Sequence, residues 1–518
     1  MTYVKPIFAA LFGLALLMAP KSYTVAQSSD SDIIHDLVLF GGRVIDPETG
    51  LDALRSVGIT NGTIVTISST PLRAKESFDV SGHIVSPGFI DLHTHSPTKL
   101  GQYYQAMDGT TTALELEAGA YPISEYASAI RDQPLINYGA SAGYISIRLL
   151  EKQGIKLSHL ASKPEPVGIK GYWTAAKALF AEQRQAFEEK ASASERNAFR
   201  TRLEDGLKQG GIGVGLALDY ISEGVDSDEL RMIFDVAAAN DSMVFLHIRR
   251  GINGDPTGLY EALELAKDTR ASLHICHLQH NAMKNTALFL AEITKARREG
   301  LDITTEVLPY NAGSATISAA VFNRNWQEIF DISYEDVEWA ATGERFAKET
   351  WEDRRRNQPQ GQVIHHYVKE KWTRKALLEP GVIIVSDLLP MQSRDKNVAP
   401  HNAAFTKILS KYVRDEPILD MRTALAKMTL LPAKRLENIA PAFKKKGRLQ
   451  VGADADITVF NPDTIKDNAT YANPYQTADG IAYVIVNGTM IVRDGELVPG
   501  AYPGKEIRSG LADSIIQK

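Results

Sequence analysis

The feature that most constrains the fold is an alternation of short apolar segments with helical segments through the middle of the chain. Seven segments of five to seven residues have the composition of buried strands: Phe89–His93, Thr111–Glu117, Gly213–Leu218, Met243–His247, Ser272–His277, Asp302–Val307 and Val382–Ser386. Helical stretches separate them, among them Leu230–Ala239, Gly258–Lys267 and Thr286–Arg298. This order predicts βα units and a parallel sheet. About eight units over roughly 350 residues predict an α/β protein with a (β/α)₈ TIM-type barrel. A doubly wound open sheet is the alternative, although no Gly-x-Gly-x-x-Gly follows the first strand.

Short strands and tight turns fill both ends of the chain. The dipeptides Asn61-Gly62 and Asn487-Gly488 favour two-residue hairpins. Neither end is long enough to bury a core by itself, whereas 518 residues suit a large barrel with an accessory domain. We therefore predict that residues 34–85 and 443–510 pair into one small β-sandwich. Residues 86–442 would then form the barrel.

Two charged segments do not fit the alternating pattern. Ser162–Arg202 has a helical pattern, and so has the longer segment Asn323–Lys375, which precedes the last strand. A connection of that length is usually functional or disordered. The aromatic residues of the longer segment favour order, and we predict a helical lid over the barrel mouth, residues 323–375. A solvated helical decoration is the alternative.

The N-terminus has the pattern of an export signal. Lys5 precedes an apolar run, Ile7–Met18, and Thr24-Val25-Ala26 supplies the small residues of a cleavage site. The run is too short to span a bilayer, so residues 1–26 are predicted to be a signal peptide. A periplasmic or secreted protein without stable membrane insertion is expected, and an uncleaved anchor is the alternative.

The single cysteine, Cys276, excludes an intramolecular disulfide. A net charge of −6 gives no reason to expect nucleic acid as a partner.

Histidines and carboxylates stand at the ends of the predicted strands. Asp91, His93 and His95 alternate along one strand and share its face. A His-x-His pair that closes an apolar strand is typical of a metal site, although each histidine alone reads as an ordinary core residue. Further strand ends carry His247, His277, Asp387 and the carboxylates Glu115 and Glu117.

These strand ends predict one metal centre. The C-terminal ends of barrel strands converge on one site, so we expect the four histidines and the carboxylates to meet there. Imidazole and carboxylate ligands suit one or two divalent ions, Zn²⁺ first. A metal makes hydroxide available at neutral pH, and Asp387 can take the proton of the water and deliver it to a leaving amine. His274 and Cys276 are expected to be structural.

Several motifs together resemble the amidohydrolase superfamily, and most closely its D-aminoacylase (N-acyl-D-amino-acid deacylase) branch. The motifs are Gly88-Phe-Ile-Asp-Leu-His-Thr-His95, Gly109-Thr-Thr-Thr112, His247-Ile-Arg249, Cys276-His-Leu278, Pro309-Tyr-Asn-Ala-Gly-Ser314, Ser386-Asp387, Met428-Thr-Leu-Leu-Pro-Ala433 and Gly452-Ala-Asp-Ala-Asp-Ile457. The resemblance implies hydrolysis of a small amide, most often an N-acyl amino acid, by a zinc-bearing barrel. By position it implies metal ligands at His93, His95, His247 and His277, and a general base and acid at Asp387. It also implies substrate contacts from Arg249, Tyr310 and Ser314.

The chain departs from that branch at three places. The branch has a ligating cysteine after its second strand, where this chain has Leu116-Glu-Ala-Gly119. Ala118 cannot bind metal, so Glu117 is predicted to replace the cysteine, with Glu115 behind it. Gly213–Leu218 lacks the lysine that bridges two metals in other branches.

The third departure concerns the substrate. The His-Pro-Arg of the branch is replaced by His401-Asn-Ala403, which leaves Arg250 or Arg394 to bind a substrate carboxylate. A dipeptidase or a cyclic-amide or lactone hydrolase of the same superfamily therefore remains an alternative, and so does an inactive binding protein on the same scaffold.

Overall fold

The computed structural model describes residues 33–178, 185–394 and 401–512. The predicted signal peptide, residues 1–26, lies outside these ranges, and export stays a prediction of the sequence. Within the described ranges, every helix is too short or too polar to cross a membrane.

An initial run of five strands precedes the mixed part of the chain. The five are β1 (Ile34–Asp46), β2 (Leu51–Thr60), β3 (Thr63–Ser68), β4 (Arg73–Asp79) and β5 (Ile84–Pro87). The next elements are β6 (Phe89–Asp91), α1 (Lys99–Met107), β7 (Thr110–Ala120), β8 (Asn137–Gly143), α2 (Tyr144–Gln153), β9 (Ile155–Lys156), β10 (Glu165–Pro166), α3 (Gly168–Ala178), α4 (Gln185–Glu188), α5 (Ala193–Lys208) and β11 (Val214–Ala217). They are followed by α6 (Ser227–Ala239), β12 (Met243–His247), α7 (Thr257–Thr269), β13 (Ser272–Ile275), α8 (Leu278–Ala282), α9 (Thr286–Arg298) and β14 (Ile303–Val307).

The second part of the chain continues with β15 (Gly313–Thr316), α10 (Trp326–Phe330), β16 (Val337–Trp339), β17 (Glu344–Arg345), α11 (Lys348–Asn357), β18 (Gln362–His365), α12 (Glu370–Leu378) and β19 (Val382–Ile384). The last elements are α13 (Ala404–Lys407), α14 (Met421–Met428), α15 (Leu430–Leu436), β20 (Ile457–Phe460), β21 (Ile481–Val486), β22 (Thr489–Arg493) and β23 (Glu496–Leu497). Short 3₁₀ turns lie at Ile123–Glu125, Leu218–Ile221, Ile252–Gly254, Met283–Asn285, Ala320–Asn323, Tyr334–Asp336, His401–Ala403 and Pro441–Lys445, and a π-helical stretch lies at Ile408–Asp415.

Eight parallel strands form the predicted barrel. They pair in the order β6, β7, β8, β11, β12, β13, β14 and β19. The first and last strands meet just beyond their ends, where Thr94 bridges Leu388 and the His95 amide donates to the Leu388 carbonyl at 2.7 Å. The (β/α)₈ barrel is thus confirmed, and its closure brings the His-x-His strand beside the strand that precedes Asp387.

One barrel strand is not among those predicted from the sequence. β8 has the sequence Asn-Tyr-Gly-Ala-Ser-Ala-Gly, which lacks the large β-branched residues that indicate a buried strand. Its small residues are needed because β7 passes close by. A Cβ atom on Gly143 would lie 2.6 Å from the Ala118 carbonyl oxygen. This close packing fixes the backbone next to Glu117.

The two chain ends pair as predicted for the small β-sandwich, and their strands form one nine-stranded sheet. Its strands follow the order β23, β22, β21, β20, β5, β1, β2 and β3, and β4 pairs with β1. The junction between the ends is the antiparallel pair of β20 and β5, in which Thr458 faces Ser86. β5 ends at Pro87 and β6 begins at Phe89, so this sheet leads directly into the His-x-His strand.

The predicted lid is not mostly helical. Its strands β16, β17 and β18 form a four-stranded antiparallel sheet with β15, which precedes the predicted lid. Buried Trp339, Val363 and the helical Trp351 belong to one hydrophobic core there. The charged residues of this segment suggested helices. Strands form instead where the alternation of apolar side chains lets them be buried on one face of a sheet. Helix α12, at the end of the predicted lid, packs instead against α9, β14 and β19 of the barrel. We call residues 313–368 the lid segment.

Candidate metal centre and its cavity

The side chains predicted to bind metal converge above the barrel, together with Asp387, the predicted general base and acid. We call them the ligand cluster: His93, His95, Glu117, His247, His277 and Asp387. His93 Nε2 lies 3.2 Å from His95 Nε2, 3.3 Å from Glu117 Oε2 and 3.4 Å from Asp387 Oδ1. His95 Nε2 lies 3.3 Å from the same Asp387 oxygen and 3.6 Å from Glu117 Oε2. Ligand atoms of a tetrahedral zinc ion lie roughly 3.3 Å apart, because each is about 2.0–2.1 Å from the metal. Five of the six separations among these four atoms therefore suit the ligands of one zinc ion.

A second group lies on the other oxygen of Glu117. Glu117 Oε1 is 3.0 Å from His247 Nδ1 and 2.7 Å from His277 Nε2. The two imidazole rings lie 4.4 Å apart between centroids, nearly perpendicular. One carboxylate therefore faces two pairs of histidines through its two oxygens, which is the arrangement of a bridging ligand.

Outer carboxylates orient the first pair of histidines. His93 Nδ1 lies 2.6 Å from Glu306 Oε1, and His95 Nδ1 lies 2.9 Å from Glu115. With Nδ1 occupied in this way, each ring presents Nε2 to the centre, as metal-binding histidines do. Glu115 thus supports His95 and is not placed as a ligand.

Glu306 was not predicted from the sequence. It is buried near the end of β14 and also accepts hydrogen bonds from the His277 amide, at 3.0 Å, and from His274 Nε2, at 2.9 Å. The sequence feature that could have identified Glu306 is that it is the one charged residue in the strand β14. His274 acts as a structural residue because it holds Glu306.

The electrostatics of the centre favour ionised carboxylates. Burial alone raises the pKa of Glu117, but the neighbouring His93 and His277 outweigh it and hold that pKa well below its usual value. Burial opposes ionisation of Glu306 too, yet His93 and His274 lower its pKa to about 2. In contrast, burial raises the pKa of the Cys276 thiol well above its usual value. Carboxylate oxygens and imidazole nitrogens together form a set of donors suited to a divalent cation.

Backbone geometry also marks two residues of the ligand cluster. His277 and Asp387 both adopt positive φ, at 29° and 52°, two residues after β13 and three residues after β19 respectively. Non-glycine residues in such conformations occur preferentially at functional sites, where packing holds them in place.

Asp91 was predicted to share the strand face of the histidines, but its carboxylate binds the segment that precedes Asp387. It accepts hydrogen bonds from the Ser386 amide at 3.1 Å and from the Ser386 hydroxyl at 2.5 Å.

A cavity of about 1090 Å³ opens above the ligand cluster. His95, Glu117, His277 and Asp387 line its floor. The lid segment contributes a large part of the wall, including Ser314, so this segment lies over the barrel mouth.

Comparison with known proteins decides the family. The model of the family described as "Amidohydrolase family" matches residues 76–492. The chain belongs to the amidohydrolase family.

Its relatives define the branch. An N-acyl-D-glutamate deacylase of Alcaligenes xylosoxydans xylosoxydans is 29% identical over 525 residues, covering 91% of this chain and 96% of the relative. A D-aminoacylase of the same organism is 26% identical over 494 residues, covering 91% and 97%. The crystal structure of an N-acyl-D-glutamate deacylase from Bordetella bronchiseptica, complexed with zinc and a phosphonate inhibitor, has a TM-score of 0.74 at 24% identity, covering 92% of this chain and all of that one. The predicted superfamily, hydrolase class and D-aminoacylase-like branch are confirmed, and the zinc of that neighbour agrees with the predicted cofactor.

Two predicted substrate contacts of this amidohydrolase do not reach the cavity. Arg249 Nε pairs with Glu261 at 2.9 Å, and its other nitrogens donate to the backbone carbonyls of Ser222 and Val225. Tyr310 is buried in the core and accepts a hydrogen bond from the Ala403 amide at 3.3 Å. The structure therefore does not bring these two side chains to the site. Ser314 does line the cavity, and its hydroxyl donates to the Val363 carbonyl at 3.0 Å.

Arg250, and not Arg249, faces the ligand cluster. Its Nη2 lies 3.3 Å from His247 Nε2 and donates to Asn281 Oδ1 at 3.1 Å. The guanidinium group lies over the Phe330 and Tyr367 rings of the lid segment, 5.1 and 5.9 Å from their centroids. β12 ends at His247, so the alternation of strand faces no longer applies two residues later.

A second guanidinium group joins the lid segment to the centre. Arg324 Nη2 donates to both oxygens of buried Asp219 at 2.9 and 3.0 Å. Asp219 also accepts the Arg250 amide at 2.9 Å and lies 3.9 Å from His247 Nε2. Sequence patterns do not indicate this contact, because both residues lie in irregular segments.

We expect Arg324→Gln to loosen the lid segment. The change removes the charged donor nearest to buried Asp219 and leaves Arg250 Nη1 at 3.8 Å as its other guanidinium partner, which costs about 2 kcal/mol. Urea unfolding followed by tryptophan fluorescence measures the loss. Arg345→Gln is the matched control, since Arg345 pairs at 3.4 Å with Glu338 and is 46% exposed, so its removal should cost under about 1 kcal/mol. Equal losses from the two variants would contradict the role of Arg324.

Proposed function

We propose that this amidohydrolase is a zinc-dependent deacylase of N-acyl D-amino acids, with a small-molecule amide as its substrate. One observation carries the proposal. Ligand atoms of His93, His95, Glu117 and Asp387 meet beneath an open cavity, where each of the two histidine Nε2 atoms lies 3.2–3.6 Å from the other three ligand atoms. The activities of the relatives, an N-acyl-D-glutamate deacylase and a D-aminoacylase, support the choice of substrate.

The chain offers ligands for two zinc ions. His93, His95, Glu117 and Asp387 would hold one ion, and His247 and His277 would hold the other with the second oxygen of Glu117. Glu117 would thereby replace the cysteine of the branch. Bound zinc supplies two kinds of chemistry, an acidified water and polarisation of the scissile carbonyl group.

Asp387 is proposed as the residue that moves the proton. Its side chain is 19% exposed to the cavity while Oδ1 faces the Nε2 atoms of His93 and His95. A water at this position can lose a proton to the carboxylate as its oxygen bonds to the carbonyl carbon. The same proton then passes to the nitrogen as the C–N bond breaks, which gives a carboxylic acid and a free amino acid. Ser314 on the cavity wall remains a proposed substrate contact.

A substrate screen with zinc-loaded protein tests the function. The panel contains N-acetyl derivatives of D- and L-glutamate and of D- and L-leucine, together with dipeptides, cyclic amides and a lactone. We expect hydrolysis of N-acetyl D-amino acids, loss of that activity after dialysis against a chelator, and its return with added zinc. Hydrolysis of only dipeptides, cyclic amides or lactones would overturn the deacylase assignment. Unchanged activity in the chelated protein would overturn the metal dependence.

A further inference from the structure

The cavity is larger than a small N-acyl amino acid requires. Its volume of about 1090 Å³ slightly exceeds the range of roughly 300–1,000 Å³ in which drug-sized ligands bind. An N-acetylated amino acid is much smaller than such ligands. If the proposed deacylase is correct, a further part of the substrate has to fill the cavity.

The barrel side of the cavity carries its large aliphatic side chains and Phe187, with Glu188, Gln392 and Ser393 beside them. The apolar lining residues come from β7 and β11, from the segment between β8 and β11, and from the chain after Asp387: Ala118, Ile145, Leu160, Phe187, Ala217, Leu389 and Pro390. Leu160 is 44% exposed even though it lines the cavity. An apolar ligand would remove this surface from water, which is the dominant favourable term in such binding.

The lid side of the cavity carries guanidinium groups. Two arginines that line the cavity, Arg355 and Arg356, belong to α11 of the lid segment. Arg355 Nη1 donates to the Phe322 carbonyl at 3.0 Å, which fixes its position. Ser314 and Gln362 add hydrogen-bonding groups on the same side.

These two sides orient an N-acyl amino acid. Such a substrate carries its carboxylate on the nitrogen side of the scissile bond and its acyl group on the carbonyl side. Guanidinium groups bind carboxylates strongly, so the amino acid half belongs on the lid side. The acyl half then extends along the apolar residues of the barrel side.

We infer that the preferred substrates are N-acyl amino acids with a long, apolar acyl chain, and that Leu160 and Phe187 select for it. This inference rests on the proposed function, because it places the acyl half and the amino acid half of the substrate on either side of the amide bond that the proposed deacylase cleaves. The residues involved lie apart from the ligand cluster, so acyl-chain selection and hydrolysis can be measured separately.

A homologous series of substrates tests the inference. The series is N-acetyl, N-butanoyl, N-hexanoyl, N-octanoyl and N-decanoyl D-glutamate, and kcat/KM is measured for each. We expect kcat/KM to rise by up to about fourfold per added methylene until the chain fills the cavity, since burial of one methylene is worth about 0.8 kcal/mol. A kcat/KM that is flat or falls from acetyl onwards would overturn the inference.

Two variants identify the wall that selects the chain. We expect Leu160→Asp and Phe187→Ala each to lower the ratio of kcat/KM for N-decanoyl to N-acetyl substrate about tenfold, equivalent to about 1.4 kcal/mol. Leu54→Asp is the matched control, because Leu54 is 67% exposed on β2 and remote from the cavity. A ratio that does not change in either cavity variant, or that changes equally in the control, would overturn the role of this wall.

Calorimetric titration with decanoate and with acetate separates this inference from the proposed function. We expect decanoate to bind wild-type protein at least tenfold more tightly than acetate, and Leu160→Asp to remove that difference. Binding with this preference in a protein that hydrolyses no acyl amino acid would retain the apolar site and overturn the deacylase. Equal binding of the two acids would overturn the apolar site, whatever the enzyme hydrolyses.

Discussion

Replacing Glu117 with alanine is expected to strip zinc from the purified protein. In the described part of the chain, Glu117 is the side chain that contacts both pairs of histidines of the ligand cluster, through Oε2 at 3.3 Å to His93 and through Oε1 at 2.7 Å to His277. Loss of a mere supporting partner already weakens metal binding about 10- to 100-fold, and Glu117→Ala removes a ligand itself. We expect two zinc ions per wild-type chain and fewer than one in the variant, measured by mass spectrometry of the metal after gel filtration in limiting zinc.

Two further variants make the zinc measurement specific. Glu188→Ala removes another carboxylate from the cavity wall, and its zinc content should equal that of the wild type. The double variant Glu117→Ala/Ala118→Cys places a thiolate where the D-aminoacylase branch has its cysteine, and it should regain part of the zinc. Full zinc content in Glu117→Ala would show that the histidines suffice and that Glu117 is not a ligand.

The second large effect is expected from Asp387→Asn. Asparagine has the same shape and tolerates the positive φ of 52° at this position, but it cannot accept the proton of the attacking water. Removal of a positioned general base lowers the rate about 10²- to 10⁴-fold, so we expect kcat to fall by that factor. The variant should fold normally and keep the zinc ion held by Glu117, His247 and His277.

The control for this variant matches its backbone conformation. Asp331 lies in the lid segment at φ 56°, so Asp331→Asn makes the same chemical change in the same region of backbone space. Its kcat should stay within about twofold of wild type, as expected for a surface change away from the reaction. Wild-type turnover by Asp387→Asn, measured with the best substrate of the screen, would refute the proton-transfer role.

The strand-end residues were predictable because parallel strands place their C-terminal ends together. Apolar runs locate those ends in the sequence, and His247 and Asp387 each directly follow such a run. The same logic fails past the end of a strand. The Arg249 side chain points away from the ligand cluster and the Arg250 side chain points towards it. Their directions are set by the conformation of the loop, because the alternation of side chains along a strand no longer applies there.

Residues that act through other residues were harder to predict. Glu306 becomes recognisable only when the fold places it 2.6 Å from His93, over two hundred positions away in the chain. Asp219 is identified by its pairing with Arg324, which depends on how the lid folds. β8 and the lid sheet were missed for a related reason, because tertiary packing overrides weak local preferences. Side chains at strand ends can thus be read from the sequence, whereas their supporting partners require the fold.

X-ray absorption at the zinc edge of the zinc-loaded wild-type protein tests the central claim most directly. We propose that a carboxylate, Glu117, has taken the place of a thiolate in this metal centre. Zinc bound by histidine and carboxylate shows a shell of nitrogen and oxygen at about 2.0–2.1 Å, whereas a thiolate adds sulfur at about 2.3 Å. The chain has one cysteine, Cys276, which is buried within reach of His93 and Glu306. We expect nitrogen and oxygen scatterers alone, and a sulfur shell would contradict the account.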